Sequence, residues 1–395
     1  MQMNDIIGEM QPSDYSPVGN NCCCGYGNLG GLGNGYGLGN AGIGNCGFGW
    51  WIWILLILFY TNQGTNNVGN NSVGDNEESK NEQEVNEITE IKITDHLGRE
   101  VVFKEKPKRI VSGYYITTSL LIALGLEDNV VGIEVGADKR PIYLLAAPQF
   151  IDLPNVGSAK NFDLEGCAAL EPDLVVLPIR LREAVENLEK LGINVIAVNP
   201  ENMDLLKETI DMVSKATGTE DRGERLKSYY DSKLAEMKEM VGDSEKKRVY
   251  MGGNSDFLST PSKNMFQNYM IEDAGGFNVT SDIDDTYWAV ISYEQLLNYN
   301  PDVIIIVPSA VYSKEDILND EKLKSITAIK NGDVYTMPDA FEAWDSPVPS
   351  SILGTMWLSS ILNEDKYPYD KFKDEAVEFY KEFYDIEINK EELTK

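Results

Sequence analysis

Two glutamates occupy the same place in a motif that occurs twice in this chain. Glu165 stands seven residues before a Pro-Asp pair at 172–173. Glu294 stands seven residues before a second such pair, at 301–302. In both copies the pair opens a run of branched apolar residues, which is typical of a buried parallel strand, and the repetition predicts two lobes of similar α/β construction. Equivalent carboxylates on two lobes suit docking to a partner better than they suit a catalytic pair.

Each glutamate also has a purely structural interpretation. Glu165 follows Asp163 and Glu294 follows Ser292, and both Asp and Ser are good helix N-cap residues. A carboxylate in the first turn of a helix gains roughly 0.3–1 kcal/mol from the helix dipole. This role does not exclude docking, because a first-turn glutamate is held in a fixed direction, as an arginine socket on a partner requires.

The elements that carry the two motifs alternate between strand and helix from residue 109 onward. Such alternation favours a parallel sheet covered by helices in each lobe, preceded by an antiparallel hairpin at 90–103. The first lobe is predicted to contain strands at 109–112, 130–133, 174–177 and 195–198 and helices at 117–124 and 183–191. The second is predicted to contain strands at 248–251, 303–307 and 334–336, a helix at 265–273, and helices that begin at Ser351 and Lys371.

One long helix is predicted over Glu220–Val241, with Leu226, Tyr230, Leu234 and Met237 at helical spacing. At 1.5 Å per residue it spans about 33 Å, enough to cross from one lobe to the other, although a surface helix of the first lobe is an alternative. We therefore predict two Rossmann-like α/β lobes with mostly parallel sheets, joined by this helix, with a ligand cleft between them. The predicted boundaries are 90–218 for the first lobe, 219–243 for the interlobe helix and 244–395 for the second lobe.

The first 89 residues are predicted to lie outside both lobes. Residues 1–47 are a low-complexity leader rich in Gly and Asn, 48–60 are a hydrophobic membrane segment, and 61–89 are an acidic flexible linker. The apolar run alone makes a helix of roughly 20 Å, shorter than a bilayer core of about 30 Å, unless residues 41–47 extend it. A retained anchor and a cleaved or atypical signal both remain open.

Charge and composition exclude several classes of function. The formal net charge is -30, which argues against a nucleic-acid partner because its phosphates would be repelled. His96 is the only histidine and is interpreted as an exposed turn residue, so neither a histidine-ligated metal site nor a serine or cysteine hydrolase of the usual kind is expected. Cys167 is the only cysteine beyond residue 46 and is expected to be a small buried apolar residue. No catalytic residue, cofactor or protein-held metal is predicted.

The loops at the carboxyl ends of the strands form the candidate ligand surface, since ligands of open α/β sheets bind there. Aromatic faces in these loops suit a planar or aryl-rich ligand, and arginines can clamp a carboxylate or another anion. The aromatic rings can instead be half-buried packing, and Arg182 can cap or solvate the helix that follows it. The candidates for the cleft are Tyr114, Tyr115, Arg140, Arg180, Arg182, Asn254, Trp288, Tyr312 and Trp344.

Several segments together resemble the ferric-siderophore and cobalamin class of ABC-transporter substrate-binding proteins. They occur in the family's order over residues 90–385, at 98–101, 107–111, 165–176, 294–306, 330–335 and 346–347. The resemblance implies a bilobed fold joined by one long helix, with modest closure over a ligand cleft. In that family, glutamates at the positions of Glu165 and Glu294 meet arginine pockets on the two permease subunits. The related zinc and manganese binders use histidine ligands, which this chain lacks.

The resemblance implies a protein anchored at the outer face of the plasma membrane that captures an iron chelate, whether a siderophore, a haem-like or a corrinoid ligand. The protein would deliver this ligand to the permease dimer of an ABC importer, and iron or cobalt would enter with the ligand. Function would consist of selective binding, small lobe motion and docking, without covalent chemistry. Alternatives are transport of molybdate or another oxyanion, a tetrapyrrole- or metal-handling enzyme such as a chelatase, and a surface or spore component dominated by the leader.

Overall fold

The first lobe centres on a parallel sheet of four strands. The computed structural model describes residues 90–242 and 244–395, and the predicted strands of this lobe are all present within them. The two central strands and one edge strand are fully buried, because helices cover both faces of the sheet. From one edge to the other the strands are β4 (Val130–Gly132), β3 (Ile110–Ser112), β7 (Leu174–Pro178) and β8 (Val195–Val198).

Helices and short hairpins complete the first lobe. The predicted hairpin before the sheet is present as β1 (Ile91–Thr94) and β2 (Glu100–Phe103), and a second hairpin is formed by β5 (Gly157–Ser158) and β6 (Asn161–Phe162). The helices are α1 (Tyr115–Ala123), α2 (Pro141–Ala146), α3 (Leu164–Ala169), α4 (Arg182–Lys190) and α5 (Met203–Thr217).

The second lobe repeats the strand order of the first. Its parallel sheet runs β11 (Phe277–Asn278), β9 (Arg248–Gly252), β13 (Val303–Ile306) and β14 (Val334–Thr336). In each sheet the first strand along the chain lies between the second and the third, and the fourth is at the far edge. A separate antiparallel pair is made by β10 (Ser259–Pro261) and β12 (Trp288–Val290). The helices are α7 (Phe266–Asp273), α8 (Tyr293–Tyr299), α9 (Lys314–Asn319), α10 (Thr327–Asn331), α11 (Ser351–Leu362) and α12 (Tyr369–Tyr384).

The aspartate of each Pro-Asp pair makes the same backbone contacts in both lobes. The Asp173 carboxylate accepts the backbone N–H of Arg109 at 3.0 Å, and the Asp302 carboxylate accepts that of Arg248 at 2.9 Å. The backbone N–H of each aspartate donates to the carbonyl of the same arginine at 2.8 Å. Each aspartate therefore ties the start of the third strand of its sheet to the start of the first.

The two arginines also act in the same way at the helix ends. Arg109 Nη2 donates to the carbonyl of Leu170 at 2.6 Å, and Arg248 Nη2 donates to that of Tyr299 at 2.8 Å. These carbonyls end α3 and α8, where a cation is favourable because the helix dipole leaves negative charge there. The residue after each carbonyl, Glu171 or Asn300, has a left-handed backbone with φ of 47° or 42°. The doubled motif thus marks equivalent helix ends as well as equivalent strands.

Helix α6 (Glu220–Val241) joins the lobes and has the predicted bounds. It packs against α5 of the first lobe and against α7 and α11 of the second, so it is not a surface helix of one lobe. Of the four apolar residues at helical spacing, Leu226, Tyr230 and Met237 are buried and Leu234 is partly buried. Near its start, the Arg222 guanidinium donates to two carbonyls, one at the end of α1 at 3.2 Å and one near the end of α12 at 3.3 Å.

His96 lies in the predicted turn, but the expectation that it is exposed is wrong. Its side chain is only 10% exposed, because the ring docks the first hairpin onto the sheet. Nδ1 accepts the backbone N–H of Asn199 at 2.7 Å, and Nε2 lies 3.2 Å from the Glu208 carboxylate. The prediction for Cys167 is confirmed: the residue is fully buried, and burial raises the pKa of its thiol to about 12.

The membrane prediction concerns residues that the structure does not describe. The leader at 1–47, the apolar run at 48–60 and the linker at 61–89 all lie outside the described ranges. Along 90–242 and 244–395, no helix combines the length and the apolar character that crossing a bilayer requires.

Candidate functional site

A cavity of about 280 Å³ lies between the two lobes. Its first-lobe wall is formed by Tyr115, which follows β3, and by Arg140 and Tyr143, which follow β4. Its second-lobe wall follows β13 and β14 and includes Phe341 and Glu342. All four segments lie beyond the carboxyl ends of strands, which is where the sequence predicted the ligand surface.

Arg140 is the central cation of the first-lobe wall. Its guanidinium carbon lies 4.3 Å from the centre of the Tyr115 ring, within the range of a cation–π interaction. Its Nε lies 3.3 Å from a carboxylate oxygen of Glu134, which is 5% exposed. Glu134 also accepts the hydroxyls of Thr118 at 2.5 Å and Tyr143 at 2.8 Å. Burial, reinforced by the Glu134 carboxylate, raises the pKa of Tyr143 well above its ordinary value, so this phenol stays neutral.

Glu342 is the buried carboxyl of the second-lobe wall and is 8% exposed. It accepts the hydroxyl of Ser119, which lies on α1 of the first lobe, and those of Ser350 and Tyr384, which belong to the second. Burial raises the pKa of Glu342, and the three hydroxyls and Arg140 oppose this increase. Beside it, the backbone N–H of Ile142 donates to the carbonyl of Phe341 at 3.2 Å, so this wall also holds the lobes together.

Tyr114 and Arg180 form a second aromatic and cationic pair next to the cavity. The Tyr114 ring meets Tyr115 edge-on with centres 5.4 Å apart, and the Arg180 guanidinium carbon lies 5.1 Å from the centre of the Tyr114 ring. Tyr114 is buried, and burial raises its pKa well above its ordinary value. Arg180 is exposed, and so is Arg182, the first residue of α4. Neither arginine lines the cavity.

Asn254, Trp288 and Tyr312 gather around Gly253, just beyond the end of β9. Tyr312 donates its hydroxyl to the carbonyl of Gly253 at 2.8 Å, and the carbonyl of Asn254 accepts the backbone N–H of Val311 at 2.8 Å. A Cβ at Gly253 would lie 3.0 Å from the Trp288 ring, so glycine permits the close approach of that ring. The three predicted residues are therefore brought together at the carboxyl ends of the second-lobe strands, but outside the lining of the cavity.

The structure corrects the expectation that Trp344 lines the cleft. Trp344 is 1% exposed and belongs to the main hydrophobic core. Its ring meets Phe372 edge-on with centres 5.8 Å apart, and its indole N–H donates to the hydroxyl of Tyr380 at 2.9 Å. The indole is fully satisfied inside the protein, so it presents no surface to a ligand.

Glu165 and Glu294 occupy equivalent exposed positions on the two lobes. Each lies in the first turn of its helix, α3 or α8. Asp163 caps the first helix through a bond from the Gly166 amide, and Ser292 caps the second in a capping box. Both predicted N-caps are confirmed. Each helix ends where a central strand begins, so its first turn lies toward the carboxyl-end edge of the sheet, which is the edge that borders the cavity.

Sequence reasoning did not single out Glu134, Glu342, Ser309 or Asp339, although the last three line the cavity and the first supports it. Ser309 has a left-handed backbone with φ of 57°, and its hydroxyl lies 3.4 Å from the Asp339 carboxylate. The available signal was position alone, since each residue stands shortly after a buried strand. Across the described residues, no group of three or more His, Cys, Asp or Glu side chains is arranged to hold a metal ion.

Comparison with known proteins identifies the family. A family model described as periplasmic binding protein matches residues 110–341. The molybdate-binding protein MolA of Haemophilus influenzae is 25% identical over 319 residues, which cover 74% of this chain and 90% of MolA. The Bacillus subtilis ABC transporter substrate-binding lipoprotein YvrC is 28% identical, covering 63% of this chain and 79% of its own. The petrobactin-binding protein YclQ of the same species is 23% identical, covering 60% and 76%.

A solved structure extends the comparison to the fold. The periplasmic solute binding protein of Veillonella parvula superposes with a TM-score of 0.68 at 25% identity, covering 76% of this chain and 94% of its own. The chain therefore belongs to the periplasmic binding protein family, and the resemblance drawn from its motifs is confirmed. It is a substrate-binding protein of the kind that serves ABC transporters.

Proposed function

We propose that this protein captures a metal chelate, of the siderophore, haem-like or corrinoid kind, outside the cytoplasm and delivers it to the permease dimer of an ABC importer. The observation that carries the proposal is Arg140 stacked on Tyr115 in the wall of the interlobe cavity. A guanidinium can bond the carboxylate, catecholate or propionate oxygens of a chelate, and an aromatic face suits its planar parts. The petrobactin-binding relative supports the same class of ligand.

The volume of the cavity indicates which ligands of this class should bind most tightly. At about 280 Å³ it lies just below the roughly 300–1,000 Å³ range of small-molecule pockets. A compact chelate, or one arm of a larger one, fits without lobe movement, whereas a whole corrinoid requires the lobes to separate. We therefore expect small siderophore complexes to bind more tightly than cobalamin.

The permease is proposed to dock on the surface that carries Glu165 and Glu294. Both carboxylates are exposed, are oriented by capped helix starts, and stand toward the cavity edge of their lobes. Arginines on two permease subunits could bind them as charge-assisted, bidentate pairs. The proposed role is binding and delivery without covalent catalysis, so no chelatase activity is expected.

Titration of the full-length protein by isothermal calorimetry tests the ligand class. The panel is a ferric catecholate siderophore, a ferric hydroxamate siderophore, haemin, cobalamin and molybdate. We expect saturable binding of at least one chelate, weakened at least tenfold in Arg140→Gln and unchanged in Arg182→Gln, an exposed arginine outside the cavity. Equal affinity of both variants and the wild type would place the ligand elsewhere.

Molybdate transport is the second candidate, because MolA of Haemophilus influenzae is a molybdate-binding protein. A small cavity with an arginine suits a tetrahedral oxyanion. The aromatic wall formed by Tyr115 and Phe341 counts against it, because an oxyanion site is better built from converging backbone N–H groups. Binding of molybdate in the calorimetric panel, with no binding of any chelate, would decide for this candidate.

The proposed location is the outer face of the plasma membrane, with the apolar run at 48–60 as the anchor. Support comes from the family and from the lipoprotein relative YvrC. Fractionation of cells that express the full chain tests the anchor. Protein that stays with membranes after a high-salt wash, and is released when residues 1–60 are deleted, supports it. Protein that is soluble in both forms contradicts it.

A further inference from the structure

Two glutamates are buried at the cavity, one from each lobe, and their surroundings differ. Glu134 is 5% exposed and has the Arg140 guanidinium beside it at 3.3 Å. Glu342 is 8% exposed, and its hydrogen bonds within the described residues all come from hydroxyls. A buried carboxylate is costly unless its charge is paired or well hydrogen-bonded. The state of Glu342 therefore depends on how many protons its hydroxyl neighbours can supply.

The hydrogen-bond network around Glu342 contains four oxygen–oxygen contacts, three to its carboxyl group and one between two of the neighbouring hydroxyls. The hydroxyls of Ser119, Ser350 and Tyr384 each contact its carboxyl group, and the Ser119 and Tyr384 hydroxyls lie 2.9 Å from each other. Each hydroxyl carries one proton, so three protons must serve four contacts when Glu342 is ionised. The Tyr384 proton would then be shared between Ser119 and the carboxylate, which weakens both bonds.

A proton on Glu342 completes the network. The carboxyl group then donates to Ser119, Ser119 donates to Tyr384, and Tyr384 and Ser350 donate to the second carboxyl oxygen. Each of the four contacts is now filled by one proton, and no group needs to move. Hydroxyls can reverse their donor and acceptor roles in this way, whereas a lysine or arginine partner could not.

We propose that Glu342 is protonated in the ligand-free protein and that this exchangeable proton sets the charge that a ligand meets at the cavity wall. The part of this inference that concerns ligand charge rests on the proposed function. With Glu342 neutral, Arg140 and Glu134 balance each other and the buried wall carries no net charge. With Glu342 ionised, the wall carries one negative charge and opposes an anionic ligand.

The groups around Glu342 act on its pKa in opposite directions. Burial, the largest effect, raises the pKa, and the hydroxyls of Ser119, Ser350 and Tyr384 and the Arg140 guanidinium oppose the increase. Tyr380 and Tyr384 on α12 and Tyr230 on α6 have pKa values well above the ordinary value, because of their burial and the nearby carboxyl, so these phenols stay neutral. The exposed residues Lys139 and Asp339, which also line the cavity, have opposite charges.

The sign of the pH dependence follows from the proton. An anionic ligand binds most tightly at low pH, where Glu342 is protonated before binding. Above the pKa of Glu342, binding of an anion requires uptake of one proton, so Kd rises about tenfold per pH unit. A neutral ligand requires no uptake, and its Kd stays level.

Infrared spectroscopy of the full-length, ligand-free protein tests the proton directly. Labelling only the glutamate carboxyls with carbon-13 separates them from the aspartates. At about pH 6, more than one unit above the ordinary glutamate pKa, we expect a protonated-carboxyl band that loses intensity in Glu342→Gln. Glu201, a half-buried glutamate whose pKa is also raised by burial, can absorb in the same region, so its contribution is measured separately in Glu201→Gln. A wild type without the band, or a band of equal intensity in wild type and Glu342→Gln, overturns the proposal. If Glu342→Gln does not fold, the band must still be present in Glu201→Gln, and its absence there overturns the proposal.

Binding of two probes tests the coupling to ligand charge. The probes are a ferric tricatecholate, which is trianionic, and a neutral ferric trihydroxamate, each used only at pH values where its absorption spectrum shows the intact complex. We expect the Kd of the tricatecholate to rise with pH in the wild type and to stay level in Glu342→Gln, and that of the trihydroxamate to stay level in both. Equal slopes in wild type and variant overturn the coupling. If neither probe binds the wild type, the proposed chelate class fails, while the infrared result still decides the state of Glu342.

Discussion

Removal of Arg140 should destabilise the protein, because it leaves Glu134 buried without a cation. With 3.3 Å between Nε and the carboxylate oxygen, the attraction is about 5 kcal/mol at an effective dielectric constant of about 20. The Arg140 side chain is 22% exposed and that of Glu134 is 7% exposed, so solvent screening and desolvation reduce this attraction. We expect a net coupling free energy of about 1–3 kcal/mol between the two residues.

A double-mutant cycle measures this coupling. Arg140→Gln, Glu134→Gln and the double variant are unfolded in urea and followed by far-UV circular dichroism. The double variant should lose about 1–3 kcal/mol less free energy of unfolding than the sum of the single variants, because the uncompensated charge is removed with its partner. The exposed pair Lys324 and Glu321, on the surface of the second lobe, is the control, and its coupling should be about 0–0.5 kcal/mol.

The same variants separate the structural role of Arg140 from its ligand role. Glu134→Gln in the Arg140→Gln background should restore stability without restoring affinity for an anionic chelate. A coupling below about 0.5 kcal/mol, no larger than that of the exposed pair, would refute the reasoning that Glu134 depends on Arg140 for its charge balance.

Three further predictions concern docking, reactivity and pH. Glu165→Ala combined with Glu294→Ala should abolish most uptake through the cognate permease while calorimetric ligand affinity stays unchanged, and normal uptake in the double variant contradicts the docking role. Cys167 should resist alkylation in the folded protein at pH 8, because it is fully buried and the pKa of its thiol is about 12; peptide mapping after iodoacetamide treatment with and without urea checks this, and modification without urea contradicts it. Burial raises the pKa of Asp345 to about 6. The free energy that the protonated Asp345 carboxyl contributes to stability is therefore full below the unfolded-state pKa of about 4 and is lost as the pH rises to about 6. In urea unfolding, the free energy of unfolding of Asp345→Asn should not fall over this pH range as that of the wild type does, and parallel pH profiles of the two proteins would contradict the prediction.

The repeated architecture was predictable because local patterns specify it. Buried parallel strands are short apolar runs, and the runs at 174–177 and 195–198 correspond to β7 and β8 almost residue for residue. The long helix could be placed from the spacing of Leu226, Tyr230 and Met237 and from the absence of proline. N-caps at Asp163 and Ser292 are equally local signals, and both act as predicted.

The pairing of distant side chains could not be predicted in the same way. His96 is held by Asn199, and Ser119 meets Glu342 across more than 200 positions of the chain. Trp344 stands in a loop, where an aromatic ring can face either the ligand or the core, and contact with Tyr380 on the last helix places it in the core. A single sequence contains no periodic signal for such contacts, so the candidate list identified Tyr115 and Arg140 in the cavity but not their buried partners.

The connection between the lobes has a mechanical consequence. Arg222, near the start of α6, hydrogen-bonds to the end of α1 in the first lobe and to a carbonyl near the end of α12 in the second. Helices of both lobes are therefore held at one point of the interlobe helix. A continuous helix bends much less readily than an irregular hinge loop, since bending must distort its backbone hydrogen bonds. Separation of the two lobes should therefore be small in amplitude, because it bends α6 and is opposed by a steep elastic restoring force. The rate of ligand exchange would then depend on the lifetime of the bound complex rather than on large movements of the two lobes.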